Sequence, residues 1–234
     1  MKQISELVNS QMRQWELRRT HEKPHREEKV GPVICVSRDL GTGGRAVARD
    51  LAGRLALDIM GKDIIDSIAE NLHQQRRMVD ILDERGKVSL ERWIDGYLHG
   101  APVEYGEYAK GLMKVVRAAA LHGNVLFLGR GANWVLGLDD AFCVRIVAPI
   151  ERRIERVMGY LSVTRAEALE AIHEADQQRN EFVRKVFHRD PTDASGYHLT
   201  LNTGGFTEDK AVDLILEAMK MSGFSVKPVP VVAS

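Results

Sequence analysis

Nine residues, Ser37-Arg38-Asp39-Leu40-Gly41-Thr42-Gly43-Gly44-Arg45, follow a short apolar run and combine glycines, hydroxyls and arginines. Three glycines in four positions let a backbone fold into a concave ring of N–H donors, and an anion can approach closely because no Cβ stands in the way. Arg38 and Arg45 flank the glycines, and a guanidinium can hold two phosphate oxygens at once. The loop therefore predicts a phosphate site, with a purely structural tight turn as the alternative.

The loop matches the phosphate-binding motif G-x-x-x-x-G-K-[ST] only in part. Gly43 fills the second glycine position. The first glycine, the lysine and the hydroxyl residue are replaced by Arg38, Gly44 and Arg45. Because a guanidinium can take the place of the ammonium group at a phosphate, either arginine is a candidate substitute for the missing lysine.

The same loop also matches part of the dinucleotide motif G-x-G-x-x-G/A, through Gly41, Gly43 and Ala46. That motif needs an acidic residue at the end of the second strand, where it binds a ribose hydroxyl. Asp58 and Asp63 are the candidates, and the strand before them is weak. A dinucleotide-dependent oxidoreductase therefore stays open as a weaker alternative.

The apolar runs of the sequence indicate which elements position this loop. Buried parallel strands are apolar on both faces, because helices cover both sides of the sheet. Strands of this kind are predicted at 33–36, 124–129 and 142–147, with a weaker strand near 57–60 and an alternating last strand at 198–202. Strands that alternate with helical patterns predict an α/β domain with a mainly parallel sheet, whose ligands bind at the carboxyl ends of the strands.

Several segments between the strands have helical spacing. A helix is predicted at 46–57, others at about 63–84 and 104–121, and a loop-rich insertion between these two. Thr164 and Glu167 have the spacing of a capping box, which predicts a long helix from there to Phe187. Thr207 is the expected N-cap of a last helix that ends near Met221.

The composition excludes several classes of protein. Lys+Arg and Asp+Glu both number 33 in the 234 residues, so no net charge is available to hold nucleic acid or an acidic membrane surface. Cys35 and Cys143 each lie inside an apolar run, which predicts core thiols rather than a disulfide framework or a zinc site. The sequence shows neither a signal-peptide-like start nor about 18 consecutive apolar residues, so we expect a cytoplasmic protein.

Two terminal segments flank the predicted domain at 31–222. Residues 1–30 begin with apolar side chains at steps of three and four, which indicates a helix followed by a charged tether. This helix is expected either to mediate a homodimer or merely to pack on the domain. Residues 223–234 are predicted to be an extended, loosely held tail.

The chain resembles the cytidylate kinase-like proteins, a divergent branch of the P-loop nucleoside-monophosphate kinases. The resemblance spans about 31–222, and its motifs are the loop Ser37–Arg45, Lys62-Asp63-Ile64-Ile65, Gly129-Arg130-Gly131 and Asn202-Thr203. It implies a three-layer P-loop NTPase-like fold with a mainly parallel five-stranded sheet and helices on both faces. It also implies a helical acceptor-side insertion at about 62–122 and a lid at about 164–192.

The resemblance further implies ATP as phosphoryl donor, Mg²⁺ as metal and a small acceptor such as CMP, so small-molecule nucleotides are the expected partners. The ATP phosphates would be bound by Ser37, Arg38, Gly41, Thr42, Gly43, Gly44 and Arg45, with Thr42 also the candidate ligand of Mg²⁺. The acceptor side would be formed by Asp63 and Arg130. The catalytic cations would be Arg45, Arg179 and Arg184.

Two further expectations concern charge. Arg130 ends an apolar strand between glycines, a poor place for a merely solvated cation, whereas Asp63 has the alternative role of a helix N-cap. Arg152, Arg153 and Arg156 alternate with glutamates and are expected to be mostly a salt-bridged surface. Because the sequence lacks an evident acid at a strand end and the motif lysine, a nucleotide-binding regulator with little turnover is the second functional hypothesis.

Overall fold

The computed structural model describes residues 31–71 and 107–226 as two continuous segments, together with Asn9, Met12, Arg13, Gln75, Arg76 and Val79. The strands are β1 (Val33–Arg38), β2 (Asp58–Gly61), β3 (Val125–Leu128), β4 (Phe142–Val147) and β5 (Leu199–Asn202). The helices are α1 (Gly44–Leu55), α2 (Lys62–Ala69), α3 (Glu107–His122), α4 (Ala132–Asp140), α5 (Ile150–Leu161), α6 (Arg165–Phe187) and α7 (Glu208–Met221).

The five strands form one parallel sheet in the order β2-β3-β1-β4-β5. On one face Cys35 lies between Phe127 and Cys143 of the neighbouring strands, and both thiols are buried, as expected. On the other face Ile34 and Val36 pack in a second core. The predicted fold, a five-stranded parallel sheet between two helical layers, is confirmed.

The two helical layers divide the core between them. Helices α2, α3 and α4 cover the face of Cys35, where they bury Ile65, Leu112 and Val135. Helices α1 and α7 cover the opposite face through Leu51 and Ile215. Because strand side chains alternate between faces, the continuous apolar runs predicted both layers.

Two of the predicted helix starts are confirmed in detail. Thr164 and Glu167 form the complete capping box at the start of α6. Thr207 accepts a hydrogen bond from the backbone N–H of Lys210 at 3.4 Å, at the start of α7. The long helix ends at Phe187, as predicted, and His188 follows it in the left-handed conformation.

The structure corrects the segment after β2. Helix α2 begins at Lys62 with Gly61 as N-cap, so Asp63 lies in the first turn and is not the cap. The helix ends at Ala69 instead of continuing to residue 84, although Gln75, Arg76 and Val79 are again helical. The loop-rich insertion predicted after this segment lies outside the described residues.

The flanking segments are described only in part. Met12 is helical and fully buried in the core that contains Ile65 and Leu112, so this part of the extension packs on its own domain. The homodimer stays a prediction. Phe224, in the predicted loose tail, packs edge-on against Phe142 and His198, so the tail is held as far as residue 226. No helix in the described part of the chain is long and apolar enough to span a membrane.

Candidate active site

The glycine loop connects β1 to α1 and depends on two glycines with positive φ. Gly43 is the N-cap of α1 with φ 77°, and Gly41 has φ 81°. A Cβ on Gly41 would lie 2.7 Å from the backbone oxygen of Arg153, which is closer than any side chain tolerates. The loop therefore needs glycine at residue 41 both for its backbone conformation and for its packing against α5.

Part of the hydrogen bonding of the loop is internal. The Thr42 hydroxyl donates to the Asp39 carbonyl oxygen at 2.9 Å and accepts from the Gly44 N–H at 3.3 Å. Thr42 is only 1% exposed. Its hydroxyl shapes the loop, and this arrangement does not present it to a metal ion.

Other amides of the loop stay available to a ligand. Within the segments that the structure describes, no atom accepts a hydrogen bond from the N–H of Gly41, Gly43 or Arg45. These three groups lie at the N-terminus of α1, where unpaired amides and the helix dipole favour an anion. The loop therefore has the donors that a phosphate group needs.

A cavity of about 320 Å³ opens next to the loop, at the carboxyl ends of β1, β2 and β3. Its position is the one that parallel sheets of this kind use for ligands. Six residues predicted from the sequence line it together: Ser37, Arg38, Arg45, Asp63, Arg130 and Arg179.

Five arginines line this cavity, and two of them, Arg38 and Arg45, have no ion-pair partner among the described residues. Burial, together with the smaller effects of the nearby charges of Arg179, Arg45 and Arg130, lowers the pKa of Arg38 to about 10. Among the described carboxylates, none forms an ion pair with Arg38 or Arg45. Concentrated positive charge without internal compensation favours the binding of an anion with several negative charges.

Arg38 reaches further than the sequence indicated. Its Nη1 atom would lie 2.3 Å from a Cβ on Gly129, which has φ 84°. The guanidinium therefore crosses from the end of β1 to the end of β3. Arg38 was predicted to bind the ATP phosphates, and the structure places its charge between the glycine loop and Arg130.

Arg130 is held by a carboxylate that the sequence analysis did not find. Its Nε donates to Asp66 Oδ1 at 2.8 Å, and its Nη2 donates to Asp66 Oδ2. The Tyr108 hydroxyl donates to the same carboxylate at 2.6 Å, and the Phe182 ring covers the guanidinium with its centre 4.5 Å from Cζ. The signal in the sequence was spacing, because Asp66 follows Asp63 by three residues and so lies on a neighbouring part of α2.

Arg145 is a second site residue that the sequence analysis missed. It lies in the middle of β4, is only 7% exposed and lines the cavity. Its Nη2 donates to Asp39 Oδ1 at 3.0 Å. Burial raises the pKa of Asp39, whereas the Arg145 charge opposes that rise. An arginine inside an otherwise apolar parallel strand was the available signal, since a buried charge needs a partner.

The prediction that the arginines of α5 form a salt-bridged surface is correct for Arg152 and wrong for Arg153 and Arg156. Arg152 pairs with Glu155 at the surface. Arg153 is buried, and its Nε donates to the Leu40 carbonyl at 2.7 Å. Arg156 donates to Thr203 Oγ1 at 3.4 Å and to the Gly41 carbonyl at the same distance. Arg153 and Arg156 are three residues apart and share the helix face that packs on the loop.

The two arginines predicted for the lid separate in the structure. Arg179 lines the cavity, and its Nη1 lies 3.2 Å from Asp176 Oδ1. Arg184 is 57% exposed, lies 3.6 Å from Asp190 and does not line the cavity. Five residues along a helix turn the direction by about 500°, so the two side chains diverge by about 140°. The structure does not bring Arg184 to this site.

Mg²⁺ prefers oxygen ligands and, at phosphate sites, needs only one or two carboxylates beside the substrate. In the described part of the chain, no group of three His, Cys, Asp or Glu side chains forms a metal cage. Asp39 and Asp63 both line the cavity and supply carboxylate oxygens. The donor set therefore fits a metal ion that arrives with a phosphorylated ligand.

The sheet order weakens the dinucleotide alternative. In the dinucleotide fold the second strand lies beside the first, which brings its terminal acid to the glycine loop. Here β3 separates β2 from β1, and Asp58 stands at the amino end of β2. Asp58 is therefore not at the strand end that this alternative requires, and Asp63, which lines the cavity, follows a strand that is not adjacent to β1.

Comparison with known sequences gives matches to kinases and to one isomerase. The profile of the cytidylate kinase-like family matches residues 33–205. A stretch of 112 residues is 32% identical to the cytidylate kinase of Methanopyrus kandleri and covers 44% of this chain and 58% of that protein. A stretch of 100 residues is 33% identical to the uronate isomerase of Corynebacterium glutamicum and covers 42% of this chain and 19% of that protein. The chain thus matches less than two thirds of the length of either relative.

Comparison with solved structures supports the fold. An uncharacterized protein from Eubacterium ventriosum superimposes with a TM-score of 0.63 at 20% identity. The superposition covers 81% of this chain and 98% of that chain. At this level of identity, the similarity concerns the fold alone.

Proposed function

The chain belongs to the cytidylate kinase-like family, and from that premise we propose that it transfers the terminal phosphoryl group of ATP to a small acceptor. A pyrimidine nucleoside monophosphate such as CMP is the acceptor that we expect. The observation that carries the proposal is the convergence of Arg38, Arg45, Arg130 and Arg179 on one cavity beside the open amides of the glycine loop. Phosphoryl transfer requires this kind of positioning and charge stabilisation rather than covalent catalysis.

The donor phosphates would lie at the N-terminus of α1. There the N–H groups of Gly41, Gly43 and Arg45 would donate to phosphate oxygens, and the Arg45 side chain would supply the cation that the motif lysine usually provides. Mg²⁺, when bound, would help to neutralise the negative charge that develops on the phosphate oxygens. Asp39 and Asp63 are the residues that would hold it.

The acceptor would lie toward β3, where Arg130 ends the strand and Asp63 lines the cavity. An acceptor phosphate oxygen attacks the γ-phosphorus and forms the new P–O bond. The bond from that phosphorus to the β-bridging oxygen breaks, and ADP leaves with the electron pair. A dianionic acceptor phosphate loses no proton in this step. Arg179 and Arg38, which both line the cavity, would stabilise the charge on the transferred group.

A nucleotide-binding regulator with little turnover is the second candidate, and the position of the motif lysine favours it. Gly44 occupies that position, and a Cβ there would lie 2.7 Å from the Cβ of Arg38. A lysine therefore does not fit unless Arg38 moves. One well-placed cation at a phosphoryl-transfer transition state is worth several kcal/mol, roughly 3, so its replacement matters for turnover.

Two measurements separate the candidates. Thermal-shift assays with ATP, CMP and NAD, each with and without Mg²⁺, identify the ligand class, because a ligand stabilises the state that binds it. A coupled assay of ADP release against a panel of nucleoside monophosphates then tests turnover. We expect ATP-dependent stabilisation and acceptor-dependent ADP release. ATP binding without release for any acceptor would leave the regulator, and stabilisation by NAD alone would contradict both.

A further inference from the structure

Both backbone polar groups of Leu40, in the glycine loop, are bound by side chains from two other helices. The Leu40 N–H donates to Asp176 Oδ1 of α6 at 2.9 Å, and its carbonyl accepts from Arg153 Nε of α5 at 2.7 Å. Arg153 Nη2 also donates to Asp176 Oδ2. These three hydrogen bonds close a ring that joins the loop to α5 and α6.

The ring lies in a protected place. The Asp176 side chain is 19% exposed, and the Arg153 side chain is 11% exposed. The Leu40 side chain packs against the small apolar cluster between α5 and α6, which buries Ile154, Val157, Ala168 and Ile172. Charge-assisted hydrogen bonds shielded from water are stronger than those at the surface. The middle of α6 is therefore fixed to the loop.

The same carboxylate also contacts a cation of the cavity. Arg179 Nη1 donates to Asp176 Oδ1 at 3.2 Å, so one oxygen accepts from both the Leu40 amide and Arg179. Arg179 lines the cavity close to Arg38, and the positive charges of the two side chains repel each other. A carboxylate one helical turn away offsets that repulsion and holds the guanidinium end of the Arg179 side chain.

We propose that Asp176 is a positioning residue that sets the shape of the glycine loop and the direction of Arg179 at the same time. It does not line the cavity, and it acts through the Leu40 amide and the Arg179 guanidinium. This inference rests on the proposed function. Its consequence is that the position of the glycine loop and the position of Arg179 depend on the same carboxylate. Loss of the carboxylate weakens the binding of ATP more than that of the acceptor.

The test is Asp176→Asn, which keeps the shape of the side chain and one acceptor oxygen but removes the charge that pairs with Arg153 and Arg179. The expected result is an about tenfold higher Kd for ATP by calorimetry, with the acceptor KM changed less than twofold. Arg179→Ala should weaken ATP binding in the wild type and add little in the Asp176→Asn background. The control is Glu181→Gln on the same helix, which pairs with Lys185 at the surface and should change neither constant.

A merely structural role predicts a lower melting temperature with unchanged Kd and KM, and that result would overturn the proposal. Additive effects of Asp176→Asn and Arg179→Ala would also overturn it. If Asp176→Asn fails to fold, Asp176→Glu keeps the charge but displaces the oxygen from the Leu40 amide, and an unchanged ATP Kd for that variant would contradict the inference. If the wild-type protein binds ATP and releases no ADP with any acceptor, the proposed function fails, while the ATP Kd of each variant still decides the role of Asp176.

Discussion

Arg38 lies across the backbone of Gly129, with its Nη1 atom 2.3 Å from the position that a Cβ at residue 129 would occupy. Arg38 is the last residue of β1, and Gly129 directly follows the neighbouring strand β3. The absence of a side chain at residue 129 is what lets the guanidinium pass from the glycine loop toward Arg130. A side chain at residue 129 would therefore have to displace the end of the Arg38 side chain, in addition to adopting a positive φ.

Gly129→Ala should be more destabilising than the same change at a glycine with open surroundings. Alanine at positive φ costs about 1–2 kcal/mol in either place, and residue 129 adds the collision with Arg38. Gly223→Ala is the matched control, since Gly223 has φ 79° and nothing within 4 Å of its added Cβ. Urea unfolding measures the difference. In an Arg38→Ala background the two glycine substitutions should cost the same, and a persistent excess at residue 129 would contradict the collision.

Arg45→Ala should weaken ATP affinity or turnover by at least about tenfold, because it removes the cation expected to replace the motif lysine. Arg49→Ala is its control. Arg49 lies one turn further along α1, is exposed and does not line the cavity. Steady-state kinetics with varied ATP make the comparison, and equal kinetics for the two variants would remove Arg45 from the donor site.

Arg130→Ala should raise the acceptor KM and leave ATP binding unchanged. It should also lower stability, because the half-buried Asp66 carboxylate loses its bidentate partner. Adding Asp66→Asn should restore part of the stability without restoring the acceptor KM. Kinetics with varied acceptor and thermal unfolding follow the two effects separately. A raised ATP KM with a normal acceptor KM would place Arg130 on the donor side instead.

Stability should fall in mild acid because of His198. Its Nδ1 accepts the Cys143 backbone N–H at 3.0 Å, which requires the neutral ring, and its ring stacks on Phe142. Burial lowers the pKa of His198, although Asp139 and a hydrogen bond to the Leu138 backbone oppose this effect.

The free energy of unfolding should fall with pH because the unfolded chain binds the proton more readily than the folded chain does. Below the ordinary imidazole pKa of about 6.5, His198 binds a proton in the unfolded chain but stays neutral in the folded chain. The stabilisation that is present above about pH 6.5 is therefore lost as the pH falls toward and through the lower pKa that His198 has in the folded protein. His198→Asn keeps an acceptor oxygen near the Nδ1 position and cannot titrate. Unfolding free energies between pH 7.5 and 5, a range of roughly one to two units around that pKa, should fall less for this variant, and equal slopes would contradict the assignment.

The fold was predictable from local patterns because each pattern has a local physical cause. Continuous apolar runs marked the buried strands, and the Thr164 capping box marked the start of α6. The end of α2 at Ala69 was not predictable, because helical spacing continues beyond it in the sequence. Where a helix stops without glycine or proline, tertiary packing decides, and spacing carries no information about packing.

The part of the candidate site that comes from one short stretch of sequence was predictable, whereas the contacts between residues far apart in the sequence were not. The glycine loop could be read directly, since all its donors lie within nine residues. The pairs Arg130–Asp66 and Arg145–Asp39 join residues 64 and 106 positions apart, and no local spacing predicts such a pair. Arg153 was misassigned to the surface for the same reason, because its partner Leu40 is 113 residues away.

The central position of β1 has a consequence for how such a protein can diversify. Strands β2 and β3 lie on one side of β1 and are followed by Asp63 and Arg130 of the cavity, whereas β4, which carries Arg145 of the cavity, lies on the other side with β5. Residues on the two sides of the cavity therefore come from different segments of the sequence, and β1 with the glycine loop lies between them. Exchange of the segment with β2 and β3 between homologues would change the surroundings of Asp63 and Arg130 and keep the glycine loop and Arg145, and Phe182 of α6 is the contact that such an exchange would have to preserve.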